Sequence, residues 1–351
     1  MEKSIVFMKI QDLFNNNEPY VIAEIAQNHD GSLGMAHAFI DAVSKTGADA
    51  IKFQTHIASA ESTIHEPFRV NFSYCDKTRY DYWKRMEFSE EQWEGLFEHA
   101  TMLGLDFLSS PFSLEALHML NRIGIPAWKF GSGEVFNSIL LNEAIKTQKT
   151  IILSTGLSTY NDIDEQVKLI KKAGNNLIIM ECTTAYPSKA ENIPILQIKN
   201  LKDRYGCIVG ISDHSSTIFP ALSAITLGAQ CVEVHVTFSR DMFGPDVKAS
   251  VTVDELKQIV EGAKFIQAML NCNNKKDQLD EEKSILRNTF SKSIYANKKM
   301  CKEHLLTEGD LGIKKPYNES GILLKDYYSV IGKKLKIDVD SDEILTWEKI
   351  Q

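Results

Sequence analysis

Eight short runs rich in Val, Ile and Phe alternate with longer stretches of helical period, and this alternation limits the fold more tightly than any other feature. The runs are "YVIAEIA", "ADAIKFQT", "LDFLSS", "AWKFGSGE", "TIILSTG", "NLIIMECTT", "CIVGIS" and "CVEVHVTF". Each is short enough for a buried strand, and the segments between them, among them 34–46, 90–103, 113–122, 160–173 and 253–269, carry helical periodicity. Strict strand–helix alternation predicts parallel strands with crossover helices. Eight such units predict a TIM (β/α)8 barrel, with a doubly wound open sheet as the alternative. The connection at about 57–88 is longer than a βα turn needs and carries Tyr80, Tyr82 and Trp83, so it reads as a lid.

The texture changes after residue 270. Residues 271–283, "NCNNKKDQLDEEK", are polar and charge-dense and read as a linker. Residues 284–351 show short strands and turns, the pattern of a small mostly-β domain. A unit of that size builds a marginal core alone and is expected to dock on the barrel. With a net charge of −8, the 351-residue chain has no basic footprint for nucleic acid or anionic lipid, so an anionic substrate needs locally placed cations. The N-terminus lacks a signal-type apolar core and no 18-residue apolar run follows, which predicts a cytoplasmic protein without membrane spans. Cys182, Cys207 and Cys231 lie in apolar runs and no CxxC occurs, so reduced core thiols are expected.

In a parallel barrel one strand parity faces inward, and chemistry collects at the strand C-termini. Lys52 and Gln54 share parity, as do Lys129 and Gly131, with Ser132 and Glu134 in the turn beyond. Glu24 ends the first strand; Ser110, Ser154 and Thr184 end three others; Glu233 and His235 share parity on the last. Two readings of the lysines stand open. Either they pair structurally with Glu24, Glu134 or Glu233, or with Ser110, Ser132 and Ser154 they cradle a phosphate or carboxylate. His214 in "GISDHSST" and His235 in "QCVEVHVTF" end successive strands and suggest a metal site. Two imidazoles with open oxygen positions suit Mn²⁺ or Mg²⁺ better than zinc. Asp213 and Asp246 are nearby oxygen candidates, although Asp213 could instead cap a helix starting near Thr217.

With these residues placed, the chain resembles the sialic acid synthase family, the bacterial N-acetylneuraminate synthases and their legionaminic, pseudaminic and spore-coat relatives. The resemblance runs through "AEIAQNHDGS", "GADAIKFQTH", "SSPFS", "KFGSGE", "ILSTG", "CTTAYPS", "GISDHS", "EVHVTF" and "GPDVKAS" in the family's order. The C-terminal unit is similar to the family's antifreeze-like SAF domain in "SIYANKKM", "LTEGDL" and "VIGKK". The resemblance implies a barrel enzyme that condenses phosphoenolpyruvate with an N-acetylated hexosamine, such as N-acetylmannosamine or a diacetamido-trideoxyhexose, and releases phosphate by C–O cleavage. It implies His214 and His235 as ligands of a divalent ion, Mn²⁺ first and Mg²⁺ or Co²⁺ next. Lys52, Lys129, Ser110, Ser132, Ser154 and Thr184 would hold phosphoenolpyruvate, and Glu24 and Glu134 would manage protons. Gln54, Tyr186 and Asp246 would contact the sugar, and Lys315 would reach it from a partner chain in a domain-swapped homodimer. The chain departs from the family at Glu181-Cys182, where His-Cys is common, and at Lys315-Pro316-Tyr317, where Arg-Pro-Gly is common. Both departures bear on the identity of the sugar.

Three rival functions fit parts of the pattern. A Schiff-base aldolase would use Lys52 or Lys129 as nucleophile. A metal-dependent amidohydrolase wants a His-x-His pair on the first strand, where this chain has Glu24. A non-catalytic carbohydrate binder would leave the charged strand ends without a role.

Overall fold

The computed structural model describes residues 9–68, 70, 72–273 and 275–351. Two compact units divide at Asn271/Cys272. In the first, eight parallel strands form a closed barrel: β1 (Tyr20–Ala26), β2 (Ala50–Thr55), β3 (Asp106–Pro111), β4 (Ala127–Phe130), β5 (Thr150–Ser154), β6 (Leu177–Cys182), β7 (Ile208–Asp213) and β8 (Cys231–Thr237). Each strand pairs with the next, and β8 returns to pair with β1. A short β9 (Val251–Thr252) extends the edge beside β8. The surrounding helices are α1 (Leu33–Ser44), α2 (Ala58–Glu61), α3 (Arg79–Met86), α4 (Glu90–Met102), α5 (Leu114–Ile123), α6 (Ser138–Lys146), α7 (Tyr160–Ala173), α8 (Gln197–Tyr205), α9 (Phe219–Thr226) and α10 (Val253–Leu270).

Local chemistry sets where strand gives way to helix. Ser89, Thr159 and Thr252 each close a capping box with Gln92, Asp162 and Glu255, which satisfies the first free N–H groups of α4, α7 and α10. Gly124 and Gly174 take φ of 96° and 84° to end α5 and α7, a conformation that disfavours a Cβ. The outward strand parity, including Val21, Ile51, Phe107, Ile151 and Val232, packs under the helices in one continuous core.

The inward parity forms a second core of Tyr20, Ile22, Ala50, Leu108, Ile152 and Met180, among others, plugged by Ile10 and Leu13. Asp106 ties that plug down by accepting from the Ile10 amide and the Tyr20 hydroxyl, both at 2.7 Å. One layer toward the strand C-termini the inward residues stop being apolar. Glu24, Lys52, Ser110, Lys129, Ser154, Ser212 and Glu233 stand there, all buried.

The strand expectations hold with one adjustment: "AWKFGSGE" is strand only to Phe130, and Ser132–Glu134 form a single 3-10 turn. The 57–88 connection contains α2 and α3, with Arg69 and Asn71 outside the described residues. Within the stretch read as a linker, Asn274 is outside them too, and α11 (Glu281–Phe290) begins before residue 284. The second unit pairs β10 (Ser293–Ala296) with β11 (Leu311–Lys314) antiparallel, and carries α12 (Tyr327–Val330). Its core comprises Ile294, Met300, Leu306, Val330, Leu335 and Leu345, among others. Asp310 organises the turn before β11 by accepting from the Thr307 amide and hydroxyl, both at 2.8 Å.

The β7–β8 seam makes a test of barrel closure. Gly210 faces Cys231 in register, and a Cβ there would stand 2.2 Å from the Cys231 carbonyl oxygen. Gly210→Ala is expected to cost about 1–3 kcal/mol in urea unfolding. An unchanged midpoint would show that the seam has room.

Candidate active site

Register places the ionisable strand-end residues against one another. Glu24 lies opposite Lys52 across β1 and β2, and opposite His235 across β1 and β8. The Lys52 ammonium pairs closely with Glu24, lies 3.8 Å from Glu233 and donates to Ser110 Oγ at 3.3 Å. Lys129 pairs with Glu233 at 3.0 Å, and Ser212 Oγ donates to the same carboxylate at 2.9 Å. Both lysines are at most 3% exposed, so every charge here is held by a neighbour rather than by water.

These neighbours set the protonation states. Burial pushes Glu24 above the usual carboxylate range, and Lys52 only partly offsets it. Burial acts the same way on Glu233, yet Lys129 and Lys52 overcome it and hold that carboxyl below its ordinary value. Lys52 is raised despite burial because Glu233 and Glu24 face it. The site therefore presents fixed ammonium groups in an acidic protein, where an anion can compete for them.

Several hydroxyls complete that cationic side. Ser132 Oγ accepts from the Gly156 amide at 3.1 Å. A Cβ on Gly156 would stand 2.4 Å from Thr184 Oγ1 and 3.0 Å from Ser132 Oγ, so only glycine lets these groups converge. Ser154 Oγ is buried without a hydrogen-bond partner, an oxygen left for a group the protein does not supply.

The imidazoles lie one layer above. The rings of His214 and His235 are 5.1 Å apart, and Tyr186 covers His214 at 4.2 Å. His214 Nδ1 lies 3.0 Å from the Thr183 carbonyl, so it carries the proton and leaves Nε2 as the donor atom. Burial lowers His214 to about 4 and His235 well below its ordinary value, so both rings are neutral near pH 7. Neutral rings are what metal ligation requires. His235 Nδ1 is buried without a hydrogen-bond partner. Among the described residues no three His, Cys, Asp or Glu side chains converge as a ligand set. The donor set thus fits an ion that takes two imidazoles and fills its other positions with oxygens from water or substrate.

Asp213 does not cap α9. Its carboxylate accepts from the Ser215 amide at 3.0 Å and the Ser215 hydroxyl at 2.8 Å, an Asx turn, while α9 begins beyond Ile218 without a side-chain cap. Asp246 lines the barrel mouth in one cavity with Gln54, Tyr186 and His235. Glu134 is not a lysine partner. It accepts from Asn137 Nδ2 at 2.9 Å, and burial with the nearby Glu61 raises its carboxyl. Lys315 follows β11 in the second unit, its ammonium 5.3 Å from the Phe290 ring centroid.

Strand parity left some residues unassigned. Ser212 shares parity with His214 and could have been found that way. His56 continues the parity of Lys52 and Gln54, and its ring stacks between Trp83 at 4.0 Å and Phe112 at 4.5 Å. Gln27 Nε2 donates to Gln54 Oε1 at 2.8 Å, and Gln54 Nε2 to Glu24 Oε1 at 3.0 Å. No local pattern announces Gln27.

A closed parallel barrel with charged strand ends, followed by a small antiparallel unit, defines a two-domain protein built on a (β/α)8 barrel. The NeuB family model matches residues 39–275 and the SAF domain model residues 291–351. The chain belongs to the NeuB family. It is 33% identical over 331 residues, 93% of this chain and 98% of the other, to the N,N'-diacetyllegionaminic acid synthase of Campylobacter jejuni. It is 30% identical over 320 residues, 90% of this chain and 93% of the other, to the pseudaminic acid synthase of Helicobacter pylori. Among solved structures, the N-acetylneuraminic acid synthetase of Leptospira borgpetersenii superposes with a TM-score of 0.68 at 30% identity, covering 78% of this chain and 93% of that one.

Glu181 yields a pH test. On β6 it points away from the barrel axis into a cavity with Tyr160, Asn192 and Gln197, and burial raises its carboxyl to about 7. The unfolded chain loses this proton near the ordinary value of 4.5 while the folded chain keeps it to about 7, so stability falls as pH rises between the two. Glu181→Gln is expected to stabilise by about 1–3 kcal/mol at pH 8 relative to its effect at pH 4. Equal effects at both pH values would show that Glu181 is not desolvated.

Proposed function

We propose that the chain is a nonulosonic acid synthase that joins phosphoenolpyruvate to the open-chain aldehyde of an N-acetylated hexosamine. The observation that carries this reading is a buried layer holding the ammonium groups of Lys52 and Lys129, with two neutral imidazoles directly above it. One layer suits the phosphate and carboxylate of phosphoenolpyruvate, and the other would hold a divalent ion that supplies Lewis-acid chemistry to the sugar aldehyde.

In this reading Lys52 and Lys129 give part of their pairing with Glu24 and Glu233 to the incoming anion, and Ser110, Ser132, Ser154, Thr184 and the Gly156 amide complete its cradle. His214 and His235 would hold a divalent ion, Mn²⁺ first and Mg²⁺ or Co²⁺ as alternatives. Such an ion supplies Lewis-acid polarisation of the aldehyde. Gln54, Tyr186 and Asp246 line the mouth on the sugar side. The C3 carbon of phosphoenolpyruvate bonds to the aldehyde carbon, whose oxygen takes a proton. Water adds to C2, and the C2–O bond breaks to release phosphate. Glu24 and Glu134, both carboxyls raised by burial, are the groups placed to exchange those protons.

The aldolase rival is disfavoured at Lys52. A Schiff-base lysine must lose its proton, and Lys52 is pushed the other way by two carboxylates. The relatives support both an N-acetylmannosamine-type and a diacetamido-trideoxyhexose substrate. Among the described residues no helix is long and apolar enough to cross a membrane.

Chelator is expected to abolish phosphate release and Mn²⁺ to restore it, with His214→Ala and His235→Ala each weakening Mn²⁺ binding by calorimetry while remaining folded. Full turnover in metal-free enzyme would remove the metal from the reading.

The SAF unit is proposed to cap the barrel of a partner chain and to bring Lys315 to its sugar. Co-expressing His235→Ala with Lys315→Ala is then expected to restore activity that neither variant shows alone, because one mixed site is intact. No recovery in verified heterodimers would exclude the swap.

A further inference from the structure

A directional chain of hydrogen bonds runs from the buried centre to the β2–β3 connection. Glu24 Oε1 accepts from Gln54 Nε2 at 3.0 Å, and Gln54 Oε1 accepts from Gln27 Nε2 at 2.8 Å. Gln27 Nε2 also lies 2.6 Å from His56 Nε2, and His56 Nδ1 lies 2.6 Å from Glu61 Oε1. The donors and acceptors can be assigned from the inner end outward. Glu24 holds the Lys52 ammonium with one oxygen and accepts from Gln54 Nε2 with the other, so Gln54 turns its NH₂ to Glu24 and its oxygen outward. That oxygen demands an N–H from Gln27. The same amide nitrogen has only hydrogens to offer His56, so His56 Nε2 accepts and the ring proton sits on Nδ1, facing Glu61.

Turning either amide over would set oxygen against oxygen at one end of this chain. The outer end is held rigidly: His56 is stacked between Trp83 and Phe112 with interplanar angles of 18° and 14°. Glu61 lies on α2, the first element of the β2–β3 connection. This arrangement has a cost. Gln27 Oε1 is left buried with no hydrogen-bond partner, in a residue that lines the barrel mouth beside Gln54, Tyr186 and His235. A buried acceptor without a partner costs about 1–3 kcal/mol, and nothing in the barrel's packing returns it.

We propose that His56, anchored by Glu61, is a positioning residue that fixes the amides of Gln27 and Gln54, and that Gln27 Oε1 is the acceptor for a hydroxyl or amide N–H of the bound sugar. The proposal rests on the synthase reading for the identity of that ligand. It makes Gln27 a sugar contact and His56 the residue that decides which of its amide atoms faces the sugar. His56 touches no reacting atom. Its influence passes through Gln27 to the sugar and through Gln54 to Glu24.

The test pairs kinetics with spectroscopy on the full-length, Mn²⁺-loaded protein, using phosphate release with phosphoenolpyruvate and the best substrate from N-acetylmannosamine and diacetamido-trideoxyhexoses. Gln27→Leu and His56→Phe are each expected to raise the sugar KM about tenfold, the loss of one directed hydrogen bond, while the phosphoenolpyruvate KM moves less than about twofold. The double variant should be no worse than either single one, since both lesions act on one contact. His56→Gln, whose side-chain oxygen can accept from Gln27, should recover part of the loss. Equal rises in both KM values, additive effects in the double variant, or a loss of stability without a selective KM change would overturn the proposal. Nitrogen-15 NMR of the imidazoles gives a readout independent of turnover: His56 protonated at Nδ1 supports the positioning, and protonation at Nε2 overturns it. A wild-type enzyme that releases phosphate with no acylamino sugar would instead overturn the synthase reading, and the sugar contact with it.

Discussion

Four buried ionisable side chains, Lys52, Lys129, Glu24 and Glu233, meet in one layer of the barrel, and the rest of the first unit can be understood as what makes that meeting tolerable. Stripping water from such charges costs several kcal/mol apiece, and replacing them by apolar residues would serve stability better. Their retention points to work on a ligand. The plug of Ile10 and Leu13 closes the opposite end and keeps water from reaching the charges through the barrel floor. The Lys129–Glu233 pair spans the barrel from β4 to β8, so only a closed sheet brings these partners within 3.0 Å.

What the sequence revealed and what it hid follow from the range of the interactions involved. Strand parity is a local property, and it placed Lys52, Gln54, Lys129, Glu233 and His235 on one face without knowledge of the sheet. Choosing among carboxylate partners for the lysines was beyond it. Glu134 sits four residues past Phe130, but β4 ends there and a 3-10 turn carries the glutamate to Asn137 instead. Asp213 looked like a helix cap because strand-to-helix turns often need one. The turn is closed by Ser215, and α9 starts too far along for the carboxylate to reach.

Gln27 was illegible for a different reason. The β1–β2 register slips between Glu24 and Ala26, and Ala26 adopts φ 47°, so the chain leaves the strand with its regular alternation broken. Beyond such a bulge parity no longer tells which way a side chain points. The β2–β3 connection resisted reading as well, since its aromatic residues gain their partners only on folding: Trp83 reaches back to His56 and donates from Nε1 to Glu66 at 2.9 Å. Tertiary contacts of this kind leave no periodic trace in a sequence.

The vertical order of the centre carries the chemical argument one step further. Ammonium groups lie lowest, imidazoles above them, and amides and carboxyls on the β1–β2 side. Burial is what lowers both histidines; Glu233 opposes it, and the two lysines partly cancel Glu233. The same lysines keep Glu233 ionised, and Glu233 in turn keeps Lys52 charged. Each layer therefore bears on the protonation of the next: the lysines hold Glu233 ionised, both rings are buried in their neutral form, and burial raises the Glu24 carboxyl. The proposed reaction asks for all three conditions within one cavity, which is why a barrel with its strand ends converging suits it better than a flat sheet.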